Sequence, residues 1–212
     1  MDLHLWLAYV AAAFLIAVSP GSGAVLSMSH GLAYGVRKAS ATIGGLQLGL
    51  LLILLVAGAG VGSLLLASEL AFNVVKVLGA LYLIYLGWCQ WRAGGASPLA
   101  AGDEVPAGSW RKRCLTGFLT NATNPKGIIF MVAVLPQFLT DAQPLWSQLL
   151  VIAVTTLAVD TVVMHGYAAS ASAMRRLLRS ARAVQAQNRV FGGLLMAVGA
   201  GLFFVQRGAR HA

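Results

Sequence analysis

Residues 48–66 read LGLLLILLVAGAGVGSLLL, nineteen positions without a charge. A helix needs about 18 or more apolar residues to cross ~30 Å of hydrocarbon. A second run, 74–88, carries a single charge, Lys76. A membrane-spanning barrel would instead need short strands of alternating polarity. These runs are continuous and rich in Leu, Ala and Gly, so the chain reads as an all-α polytopic membrane protein. Composition agrees: 58% of the 212 residues are hydrophobic and 10% are charged. A soluble domain carries about 25% charged residues.

The net charge of +9 does not point to nucleic acid. The basic residues sit in short hydrophilic stretches between apolar runs, where they set topology. Cys89 and Cys114 flank one loop and need no disulfide. The N-terminus carries Asp2 and His4 with no basic segment before the first apolar run, so that run is expected to be retained.

Six spans are expected, at about 3–28, 41–66, 70–91, 115–139, 149–171 and 190–205. The hydrophilic stretch 93–113 divides the chain into residues 1–92 and 114–212, each read as a three-helix repeat. A tandem copy of a three-span unit inserts upside down, so two inverted repeats are expected. Residues 174–189, with five arginines, read equally as a surface-lying amphipathic helix or a basic loop.

Orientation follows from counting Lys and Arg by side. One side holds Arg37, Lys38, Arg92, Arg111, Lys112, Arg113 and those five arginines, eleven in all. The other holds Lys76, Arg207 and Arg210. The rich side is expected to be cytoplasmic, which puts both termini outside.

The first and fourth spans are both interrupted. One carries Ser19-Pro20-Gly21-Ser22-Gly23, the other Asn121-Ala122-Thr123-Asn124-Pro125-Lys126-Gly127. A proline inside a helix deletes a hydrogen bond and clashes with the preceding turn. A lone proline is an ordinary kink. Breaks at matching places in two halves point to a binding site, because broken ends expose N–H groups and a positive dipole end suited to a carboxylate. Lys126 lies some ten residues inside the fourth span. An ammonium at that depth must face a wet cavity or an acid. Asp160, mid-way along the fifth span, is the acid, with Thr156 and Tyr167 on roughly its face. The pair reads as functional, as structural, or as both.

The candidate substrate-binding residues are therefore Pro20, Gly21, Ser22, Gly23, Gln47, Asn121, Asn124, Pro125, Lys126 and Asp160, with Asp160 also coupling protons. Gln47 serves equally as an interhelical hydrogen-bond donor. Gly-x-x-x-Gly spacings at 45–49 and 58–62 fit internal packing and homodimerisation alike. No cofactor, metal or enzyme activity is expected. His4, His30, His165 and His211 are scattered, no His-Glu-x-x-His motif or paired carboxylates occur, and the glycines of 58–62 lie inside an apolar run.

Several motifs together resemble the LysE/RhtB superfamily of bacterial amino-acid exporters. They are Ser19 to Ala24, Gly44 to Gly49, Ala80 to Gly87, Asn121 to Lys126, Leu135-Pro136-Gln137-Phe138, Thr155 to Asp160 and Gly166-Tyr167-Ala168. Ser22 and the terminal Ala209-Arg210-His211-Ala212 are similar to the homoserine and homoserine-lactone (threonine) efflux branch. The resemblance implies export of amino acids or their derivatives across the inner membrane, driven by protons. An exporter of lysine, leucine or cysteine type is the alternative within the superfamily. A passive channel and a membrane-embedded enzyme are the rivals outside it.

Overall fold

The computed structural model describes residues 1–67, 69–92, 109–140 and 142–173, with isolated positions from 182 onward. The helix order is α1 (Leu3–Val18), α2 (Ser22–Tyr34), α3 (Val36–Ala67), α4 (Glu69–Arg92), α5 (Trp110–Ala122), α6 (Pro125–Val134) with a 3₁₀ turn (Leu135–Phe138), and α7 (Leu145–Ala173).

Both prolines break their helices. A residue before proline is pushed out of the helical region. Ser19 is accordingly extended at φ −70°, ψ 118°, and α1 stops at Val18. Gly21 is also extended, and the chain resumes as α2 with its axis turned by 58°. At the second break Asn124 is extended and Pro125 opens α6, where its missing N–H costs nothing. The Asn124 side chain accepts from the backbone N–H of Lys126 at 3.1 Å, and the axis turns by 51°. Between α2 and α3 the chain reverses at Gly35, whose φ of +77° favours glycine.

Each bent pair packs against a long helix from the other half of the chain: α2 lies on α7, and α5 lies on α3. Glycines set the spacing. A Cβ on Gly45 or Gly117 would collide with the carbonyl oxygen of Cys114 or Thr42, and one on Gly31 with the backbone of Ala168. The backbones touch, as small residues allow in lipid. The pairing of Gly45 with Cys114 and Gly49 with Phe118 means that α3 and α5 run parallel. Their basic first turns, Arg37-Lys38 and Arg111-Lys112-Arg113, thus share one end of the bundle. There the Arg113 guanidinium lies 5.6 Å from the Tyr34 ring centroid. At the opposite end the Met1 amine donates to Gln143, and Gln148 Nε2 donates to the carbonyls of Thr140 and Gln143, each at 2.8 Å.

The expectation of six spans in two inverted three-helix repeats is corrected. Among the described residues, two single helices are long and apolar enough to cross a membrane, Val36–Gly60 and Leu145–Ala173. Counting each bent pair as one span raises the number to four at most. These four coincide with the expected first, second, fourth and fifth spans, and in the first and fourth the break leaves helices of 16, 13, 13 and 10 residues, each too short to cross alone. The expected third span falls on α4, which is not among the four. Residues 93–108, most of the basic stretch and most of the expected sixth span lie outside the described residues.

Candidate functional site

The two breaks meet. Lys126, in the first turn of α6, reaches across to the C-terminal end of α1. Its Nζ donates to the carbonyl oxygens of Ser19 at 2.6 Å and Ile16 at 3.2 Å. From α7, Tyr167 Oη donates to the carbonyl of Val18 at 2.5 Å. The last carbonyls of a helix have no partner within it. Those of Ile16 and Val18 are met by side chains from two other helices, at the negative end of the α1 dipole.

Asp160 faces the same space from α7. Its Oδ2 accepts from Gln47 Nε2 on α3 at 2.7 Å. Among the described residues no direct hydrogen bond joins Asp160 to Lys126, although both line one cavity. One turn earlier, Thr156 donates to the carbonyl of Ile152 at 2.7 Å, which leaves Tyr9 Oη as the donor to Thr156 Oγ1 at 2.5 Å. Asn121 holds α5 to α3 by donating to the carbonyl of Leu46 at 2.8 Å.

The cavity gives about 60 Å³ of room to the centres of water molecules. One water needs roughly 10–15 Å³ on this measure, so several waters or a small solute fit. Polar groups cluster at the breaks, while Leu50, Phe130, Met131 and Met164 supply apolar walls. It lies between two cores, one around Tyr9, Leu54 and Ile152, the other around Ile43, Leu46 and Ala168.

Of the residues singled out in the sequence, Gly21, Gly23, Asn121, Asn124, Lys126 and Asp160 line this cavity. Pro20, Ser22, Gln47 and Pro125 do not. The two prolines shape the backbone, Ser22 starts α2, and Gln47 reaches the site through Asp160. Ser19 and Tyr9 were not anticipated. Ser19 acts through its backbone carbonyl, which no side-chain pattern encodes. Tyr9 lies seven helix positions from Ile16 and gives no local signal. Thr156 and Tyr167 were legible through their spacing from Asp160, and both make contacts at the site.

The model of the LysE type translocator family matches residues 14–206. The chain belongs to the LysE family. The family's match takes in both breaks, Asp160 and every residue that lines the cavity except Ala13. A homoserine/homoserine lactone efflux protein of Salmonella typhimurium is 42% identical over 213 residues, covering the whole of both chains. An uncharacterized membrane protein of Vibrio cholerae is 41% identical over 94% of this chain and 96% of its own. A leucine efflux protein of an Enterobacter species is 30% identical over 99% of this chain and 95% of its own. No solved structure matches the chain. This LysE-family member is a multi-pass helical protein of the bacterial inner membrane and a transporter by family.

Proposed function

We propose that this translocator exports homoserine, homoserine lactone and related neutral amino acids such as threonine, in exchange for protons. The observation that carries the reading is a small cavity at two helix breaks, holding an ammonium and a carboxylate within a chain 42% identical to a homoserine/homoserine lactone efflux protein. A zwitterion needs both signs of charge. Its carboxylate is drawn to the first turn of α2, which has no side-chain cap, and to Lys126. An ammonium has three donors, and Lys126 uses two on α1. The substrate's own ammonium goes to Asp160 and the carbonyls of α1. Protonation of Asp160 from outside would loosen that ammonium and release it, which couples export to the proton gradient.

The shared basic end of α3 and α5 supports a cytoplasmic assignment for Arg37, Lys38 and Arg111 to Arg113, with the N-terminus outside. The test is uptake of labelled homoserine into everted vesicles, with and without a protonophore. Uptake that needs the protein and falls when the gradient collapses supports the exchange. Uptake indifferent to the protonophore sinks proton coupling. Leucine competing better than homoserine would move the substrate to the leucine type, the reading favoured by the 30% identical relative.

A further inference from the structure

The end of α1 is a seat for a cation, and the chain itself fills it. Backbone oxygens of Ile16 and Ser19 converge on the Lys126 ammonium at 3.2 and 2.6 Å. They lie at the negative end of a helix dipole. Asp160 lines the same cavity, and among the described residues its hydrogen bond is to Gln47 rather than to Lys126. The seat is shaped around its occupant: a Cβ on Gly21 would stand 3.0 Å from Lys126 Nζ and 3.1 Å from Cε. The glycine lets the lysine stem lie along the break.

A primary ammonium with three N–H donors is also what an amino acid or its lactone presents. We infer that Lys126 is a built-in stand-in for the substrate's ammonium. In the substrate-free protein it occupies the ammonium seat. Substrate takes the seat by displacing Lys126, which then turns to the substrate's carboxylate where there is one. This rests on the proposed export of amino acids and names the subsite for their amino group. It accounts for a lysine at membrane depth whose partners are neutral carbonyls. It also ties recognition to movement: Lys126 belongs to one bent pair and the seat to the other, so displacement removes a link between them. An N-acylated amino acid has no ammonium and would leave Lys126 in place.

The test uses the full chain, purified in lipid nanodiscs, as wild type and as Lys126→Ala. The probe is methylammonium chloride, with tetramethylammonium chloride, which has no N–H donor, as the matched salt. The variant's emptied seat takes methylammonium, and its melting temperature rises by about 3 °C at roughly ten times the Kd. Tetramethylammonium does not raise it, and wild type responds to neither. If Lys126→Ala does not survive purification, its recovery as monodisperse protein reads the same comparison, with methylammonium rescuing and tetramethylammonium not. Equal effects of the two salts on the variant, or an equal methylammonium response in wild type, would overturn the stand-in. Methylammonium rescue without homoserine export would support the seat while sinking the proposed substrate. Homoserine export without selective rescue would do the reverse.

Discussion

Lys126 Nζ lies 2.6 Å from the carbonyl oxygen of Ser19, so a side chain from one helix break holds the backbone end of the other. The contact joins two bent pairs that are separate in sequence. It makes Lys126 both a structural tie and a candidate partner for substrate. Lys126→Met should therefore lower homoserine efflux by roughly 10- to 100-fold, the scale of one charge-assisted hydrogen bond of about 1.5–3 kcal/mol. Homoserine lactone has no carboxylate to lose. Its efflux should fall less in the same variant. Parallel efflux assays on the two substrates check this, and equal losses would remove the carboxylate role.

Asp160→Asn keeps the size of the side chain and an acceptor for Gln47 Nε2, which now lies 2.7 Å from the carboxylate. The fold should survive, and gradient-driven transport should not. Homoserine accumulation in everted vesicles should drop to the level of empty-vector vesicles. Exchange of labelled for unlabelled homoserine without a gradient separates binding from coupling. Full gradient-driven accumulation by Asp160→Asn would exclude Asp160 as the proton carrier.

These two residues show what the sequence made legible. Charge at membrane depth is costly, so Lys126 and Asp160 stood out without any fold. The prolines likewise announced both breaks, because their backbone chemistry is local. The count of spans was not legible in the same way. Apolar runs register composition alone, which gives six stretches but neither the bends of 58° and 51° at the two breaks nor which stretches cross. Partners were hidden too. That Lys126 serves carbonyls of α1, and that Gln47 serves Asp160, depends on helices 110 and 113 residues apart in sequence coming together.

Gln47 is the donor to the Asp160 carboxylate, so its substitutions should act through Asp160. Gln47→Glu replaces that donor with a second carboxylate, and two carboxylates at this range cannot both ionise readily. Gln47→Asn keeps the amide on a shorter stem. Homoserine efflux should fall most in Gln47→Glu and least in Gln47→Asn. The reverse order in vesicle assays would show that Gln47 does not work through Asp160.

Tyr167→Phe removes the donor to the Val18 carbonyl and leaves the ring. A carbonyl left short of a partner away from water costs about 1–3 kcal/mol. The variant should melt lower than wild type by roughly 2–12 °C, at about 2–4 °C per kcal/mol for a chain of this size. Thermal unfolding in detergent measures it. An unchanged melting temperature would mean that the end of α1 does not depend on α7.

Adjacent glycines on α3 offer a sharper contrast. A Cβ on Gly44 has nothing within 4 Å, whereas one on Gly45 would run into the backbone of Cys114 on α5. Backbone cannot swing aside as a side chain can, so Gly45→Ala must push α3 and α5 apart. Overpacking of this kind costs about 1–3 kcal/mol. Gly44→Ala meets no neighbour and gains helix propensity, up to about 1 kcal/mol. The separation of α3 and α5 also sets where Gln47 and Asn121 stand, since Asn121 bonds the Leu46 carbonyl between them. Gly45→Ala should therefore lose stability and homoserine efflux together, while Gly44→Ala keeps both. Melting curves and efflux assays on the two single variants decide it: similar behaviour of the pair would contradict the close contact of α3 with α5.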